Sequence, residues 1–263
     1  MKVSNILATR LARRTNNKGL TLIELLVVLV ILIALAGILI PQLPNMLVRT
    51  HAAAGSTNIT EVNKRIQEFE QVYFKQPANL DNLAAGAALH TFLPNDGTDV
   101  AGGELTTVAL DADTAAALTS VGITNVAALA ATPTNATFQN YSTTPPTLTA
   151  VAAALNVARV TSAAVARTLR PGAVTNDVFV AFGVGQASEI IGRTANEAGY
   201  HFGEGPGENP EEVYARFIAV YKVEDATAGA LERADFVGVL SVHPENVANS
   251  ADHVGEFFEA NEL

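Results

Sequence analysis

Lys18-Gly19-Leu20-Thr21-Leu22-Ile23-Glu24-Leu25-Leu26-Val27-Val28-Leu29-Val30-Ile31-Leu32-Ile33-Ala34-Leu35-Ala36-Gly37-Ile38-Leu39-Ile40-Pro41 joins a basic flank to an apolar run that contains one acid. From Leu25 to Ile40 there are sixteen residues without a polar side chain. Leu20–Ile40 is interrupted only by Thr21 and Glu24. A helix of that length is ~31 Å long, enough for a ~30 Å hydrocarbon core. Residues 1–19 hold Lys2, Arg10, Arg13, Arg14 and Lys18 and no acid. A basic flank keeps the N-terminus cytoplasmic, which puts the rest of the chain on the outer side.

Three readings fit such a segment. A secretory signal has the same basic and apolar regions, and Ala34-Leu35-Ala36 ahead of Gly37 imitates its cleavage site. An uncleaved anchor also fits. Neither explains Glu24, because a carboxylate inside a span costs ~2.5–3.5 kcal/mol on insertion scales.

The stretch from Lys18 to Leu29 resembles the class III signal of type IV prepilins and type II secretion pseudopilins. The resemblance covers about residues 14–45. It implies cleavage by a membrane peptidase between Gly19 and Leu20, and methylation of the new amine of Leu20. Glu24 then lies four residues past the new N-terminus, where the family has its glutamate. Pro41 falls where many pilins have a helix-bending proline. The first mature residue is Leu20 rather than the commoner phenylalanine, and the leader is longer than the shortest in the family.

The physics of the motif stands beside that resemblance. Cleavage on the cytoplasmic face leaves the apolar helix in the membrane as a lateral pool of subunits. It also removes five positive charges that resist outward extraction. In a bundle of identical helices the new amine of one subunit can pair with Glu24 of the next. That pair offsets the burial of the carboxylate and fixes the axial register. Glu24 is expected to serve assembly rather than catalysis.

Beyond the span, Pro41 and Pro44 predict an irregular or kinked stretch. Ile59, Val62, Ile66, Phe69 and Tyr73 then follow spacings of 3, 4, 3 and 4, one apolar stripe on a helix. Gln76-Pro77 stops it. Between residues 78 and 176 Ala and Thr dominate. No Lys or Arg lies between Lys75 and Arg159, and no acid between Asp113 and Asp177. Helix-like stretches occur within Thr114–Ala131 and Leu148–Leu169, with Val151, Leu155 and Ala158 as a stripe, while Thr132–Thr149 reads as loop. Strand signals follow at Val178–Phe182, Val213–Val223 and Phe236–Val242, with a turn at Ala226–Gly229. After His243 the tail is polar and acidic and predicted to be loosely held.

The chain of 263 residues carries 16 Lys+Arg against 26 Asp+Glu and no cysteine. Its acidic balance argues against nucleic-acid binding, and the missing thiols exclude disulfides and a Cys nucleophile. Gly183-Val184-Gly185 imitates part of a dinucleotide fingerprint but lacks the third glycine, so a glycine-rich turn is the better reading. His51, His90, His201, His243 and His253 show no ligand spacing, and no hydrolase or metalloprotease motif occurs. No cofactor is expected. Asp96-Gly97-Thr98-Asp99 and the Glu204–Glu212 loop are weak candidates for structural calcium.

The expected fold is α+β: a long N-terminal helix, transmembrane then amphipathic, a helical or irregular Ala/Thr-rich connection, and a C-terminal antiparallel sheet. The expected segments are a cleaved leader (1–19), a transmembrane and polymerisation helix (20–44), an amphipathic helix (45–77) and a globular domain (78–263). The last divides into a variable connection (78–176), the sheet (177–243) and an acidic tail (244–263). The resemblance implies a non-enzymatic subunit of a type IV pilus-like filament. It starts in the inner membrane with a cytoplasmic N-terminus and ends in a surface or periplasmic filament. Implied partners are like subunits, the prepilin peptidase, and an inner-membrane assembly platform with its ATPase. A type II secretion pseudopilin, or a bitopic membrane-anchored binding protein or enzyme, remains an alternative.

Overall fold

The computed structural model describes residues 21–40, 43–138, 145–168, 177–201 and 208–259. Two compact units divide the chain, Met1–Pro44 and Asn45–Leu263.

The first unit is built on α1 (Leu22–Leu39), none of whose residues is buried. Thr21 caps it, and Glu24 at the third helical position closes a reciprocal capping box. Among the described residues this is the one helix long and apolar enough to cross a membrane. Gly19, Leu20 and Pro41 lie outside the described residues.

The next elements run α2 (Leu43–Tyr73), β1 (Leu80–Asn82), β2 (Ala84–Ala85), β3 (Ala88–Leu89), β4 (Leu105–Ala109), α3 (Ala112–Ser120), β5 (Asn125–Ala128) and α4 (Pro133–Phe138). Then come β6 (Leu148–Ala150), β7 (Asn156–Val160), α5 (Ser162–Thr168), β8 (Val178–Gly183), β9 (Ile218–Asp225), β10 (Gly229–Val242), β11 (Val247–Ala248) and α6 (Ser250–Glu259). Pro44 occupies the first turn of α2, where a missing amide breaks no helical bond.

Among the described residues nine strands form one sheet in the order β11-β10-β9-β8-β1-β5-β6, with β7 and then β4 branching from β8. All its pairs are antiparallel except β1–β5, where Leu80 faces Val126. β8 holds the branch: Ala181 pairs with Ala158 of β7, and Gly183 pairs with Asp81 of β1.

Both faces of the sheet are covered. Val180, Phe182, Ala219, Tyr221 and Val239 pack with Ile59, Val62, Ile66 and Phe69 of α2 and with Leu118 of α3. Phe179, Ala181, Ile218, Val220 and Leu240 face Leu83, Leu93, Ala164 and Val165 on the other side. Strands buried on both faces read as continuous apolar runs, which is why Val178–Phe182 stands out in the sequence.

Five local expectations are corrected. The α2 stripe packs through Phe69, but Tyr73 is 42 % exposed. The helix ends there, before Gln76-Pro77, because Phe74 adopts φ 54°. The Val151–Leu155–Ala158 stripe is not helical: β7 starts at Asn156 and is held by β4 and β8 on either side. Tertiary pairing overrides the local periodicity. The strand expected from Val213 starts at Ile218: the Tyr214 amide donates to the Phe92 carbonyl, and Arg216 forms an isolated bridge with Tyr200. The segment after His243 is not loose up to Glu259. Val247 and Ala248 of β11 are buried, and α6 follows.

Candidate functional site

At the start of α1 the Thr21 amide donates to Glu24 Oε2 at 2.7 Å, and the Thr21 hydroxyl donates to the same oxygen at 2.9 Å. The Glu24 amide returns a bond to Thr21 Oγ1 at 3.3 Å. The carboxylate therefore has local donors while every apolar side chain around it faces outward.

The second unit holds a polar centre inside the sheet. Asp81 of β1 is buried, and the Tyr214 hydroxyl donates to its Oδ2 at 2.7 Å. Burial pushes the Asp81 carboxyl up to about 7, against the pull of Tyr214 and the Arg216 charge. Arg216 donates to the carbonyls of Ala198, Gly199 and Thr137. Gly183 and Gly185 make room for the centre. A Cβ on Gly183 would collide with Tyr214 Oη, and one on Gly185 would collide with Asp81 Oδ2. The glycines that imitate a dinucleotide fingerprint are thus spacers around a buried acid.

A second polar group lies beside α2 and α6. His51, His201, His243 and His253 line one cavity of about 270 Å³ with Glu208 and Glu256. Sequence spacing missed them because each comes from a different element. His243 Nδ1 meets Glu208 Oε1 at 2.9 Å, and His253 Nδ1 meets Glu256 Oε2 at 3.0 Å. Among the described residues no group of three His, Cys, Asp or Glu is set to hold a metal ion. The first acidic loop spends its oxygen locally: Asp96 Oδ1 accepts from the Thr98 amide and hydroxyl and from the Asp99 amide. Those bonds hold the Asp96 carboxyl down at about 2. In the second loop Glu208 turns to His243, and residues 204–207 lie outside the described residues.

A family model, the prokaryotic N-terminal methylation motif, matches residues 14–40. The chain carries the type IV pilin and pseudopilin signal. No curated protein and no solved structure matches it. The methylation motif implies processing by a prepilin peptidase and pilus assembly, and points to a structural protein. Lying inside that motif, α1 is the anchor of a bitopic membrane protein. Glu24 lies within the matched residues, as do Gly19 and Leu20. Asp81, Tyr214 and the four histidines lie outside them.

Proposed function

We propose that the chain is a structural subunit of a type IV pilus-like filament, cut between Gly19 and Leu20, methylated on Leu20, and polymerised through α1. The observation that carries this reading is Glu24. It is the one acid on a helix that is otherwise apolar and wholly unburied, inside the methylation motif. A carboxylate kept at that position needs a partner in the membrane. The local bonds from Thr21 serve a single subunit, and the free amine of a neighbour serves the assembled one. Pro41 is assigned to bend the helix above the span. The N-terminus starts cytoplasmic, and the implied partners are like subunits, the peptidase, and the assembly platform with its ATPase.

Loss of the leader leaves 11 basic against 26 acidic side chains, so packed subunits repel one another. The apolar helices and the amine–Glu24 pair must hold them together. A pseudopilin is the second reading, favoured by the complete absence of cysteine, since many pilins close a C-terminal disulfide loop.

N-terminal sequencing of the mature protein tests the processing: methyl-Leu20 is expected, whereas Gly37 or Met1 would overturn it. The Glu24→Ala variant should be processed and membrane-bound yet form no filaments. Normal filaments from it would remove Glu24 from assembly. Long surface fibres in the wild type favour the pilus, and a secretion defect without fibres in a deletion strain favours the pseudopilus.

A further inference from the structure

His253 is the single buried residue of α6, with 3 % of its surface exposed. A helix docked on a domain normally buries leucine or isoleucine at that place. Here the anchor is ionisable. Its ring lies against Gly55 of α2, where an added Cβ would stand 3.1 Å from His253 Nδ1. Only glycine lets α6 approach that closely.

The anchor is one arm of a symmetric chain of contacts. Ser241 Oγ of β10 lies 3.0 Å from His253 Nε2 and 3.0 Å from His243 Nε2. It also lies 3.3 Å from the Ala248 carbonyl. On their far sides the two rings meet Glu256 and Glu208 through Nδ1. Carboxylate, imidazole and hydroxyl follow the order of a hydrolase triad. Ser241, however, has no exposed surface and is not among the residues lining the cavity, so no substrate reaches it.

The protons of this chain can be counted. An ionised carboxylate only accepts, so both Nδ1 atoms carry hydrogen. Ser241 has one hydroxyl proton and can donate it once. If it goes to one Nε2, the other Nε2 must itself be N–H. If it goes to the Ala248 carbonyl, both Nε2 atoms must be N–H. Either way at least one imidazole is an imidazolium, and the chain is complete only with a proton beyond the neutral count. Without that proton two lone pairs share one hydroxyl, and one buried acceptor is left unpaired.

We propose that Ser241, His243 and His253 form a proton-gated latch, which holds α6 on the domain while the trio carries its extra proton and frees α6 when that proton leaves. Glu208, Glu245 and Glu256 line the cavity beside the trio. His51 and His201 line it from α2 and from the segment before Glu208. His201 stays neutral, pushed down to about 3 by burial and by His243, so it does not compete for the proton. The Glu256 carboxyl is held below its ordinary range by its bond to His253. Release bares the His51–Gly55 face of α2.

The test is amide hydrogen exchange of the full chain in detergent micelles, comparing α6 with β9 as an internal reference. After correction for intrinsic exchange, protection of residues 250–259 relative to 218–225 should fall by about tenfold or more between pH ~5.5 and ~8.5, since one linked proton supplies up to about tenfold per pH unit. Equal relative protection at both pH values would overturn the latch. His253→Gln should leave α6 weakly protected and insensitive to pH. A pH response surviving in that variant would also overturn it.

Discussion

The apolar run Leu25–Ile40 and the apolar strands β8 and β9 contain the same kinds of side chain and meet opposite fates. No residue of α1 is buried, whereas Phe179 to Phe182 and Ile218 to Tyr221 have no exposed surface at all. The sheet satisfies its hydrophobic demand inside one chain, through α2 and α3 on one face and shorter elements on the other. The α1 helix leaves its demand to a bilayer or to other copies. Stability of the domain and competence of the anchor should therefore separate cleanly under mutation.

The largest expected effect is on the sheet side. Phe69 is fully buried between α2 and the sheet, so Phe69→Ala should destabilise the domain by ~3–5 kcal/mol. Leu29→Ala in α1 should leave the same thermal transition unchanged, because Leu29 is exposed and belongs to the first unit. Circular dichroism melts of both variants in one detergent make the measurement. A matching drop in Tm for Leu29→Ala would break the comparison.

This asymmetry explains what the sequence made legible. The anchor is a local code: charge, sixteen apolar residues and one misplaced acid lie within a single short window. The α2 stripe is equally local, and Ile59, Val62, Ile66 and Phe69 are buried as the period of 3.6 requires. The strands of 78–176 were hidden because short Ala- and Thr-rich strands such as Leu105–Ala109 carry little intrinsic signal and depend on distant partners. Leu105 meets Val160 and Leu80 meets Val126, pairings no local window contains. The polar centres were invisible for the same reason. Asp81 and Tyr214 meet across 133 residues, and Ser241 connects two histidines whose spacing matches no motif.

A middle-sized effect tests the buried acid. Asp81 holds its proton more tightly in the fold, up to about 7 against an ordinary 3.8. On account of Asp81 the unfolded chain binds fewer protons across that window, and the contribution of Asp81 to stability falls as pH rises from about 4 to about 7. The loss is at most on the order of 4 kcal/mol. His201 acts in the other direction. Its folded pKa is depressed to about 3, so the stability it contributes is present above about 6.5 and is lost as pH falls. Together they place maximal stability in the mildly acidic range. Asp81→Asn keeps an acceptor for Tyr214 and removes the charge, so it should flatten the alkaline limb and stabilise by ~1 kcal/mol or more at pH ~8.5. Destabilisation at that pH would mean that attraction to Arg216 outweighs burial. Urea unfolding at several pH values reads the difference.

The smallest effect lies where the two behaviours meet along α2. Tyr73 continues the stripe in sequence but stands 42 % exposed, with its ring 4.6 Å from Phe69 and the Arg193 guanidinium 5.0 Å from its centroid. An aromatic pair contributes ~0.5–1.5 kcal/mol, and an exposed cation–π contact about 0.5–1 kcal/mol. Tyr73→Ala should thus cost ~1 kcal/mol, well below Phe69→Ala four residues earlier. Val72 and Phe74 beside it are also exposed, so this end of the helix offers apolar surface the domain does not cover. The variant should therefore be mild in dispersed subunits. Any larger penalty should appear only in filaments, where neighbouring copies can bury that surface. Melts of dispersed and polymerised protein distinguish these cases: a cost near that of Phe69→Ala in dispersed subunits would place Tyr73 within the domain core and move the boundary between self-satisfied and partner-dependent surface.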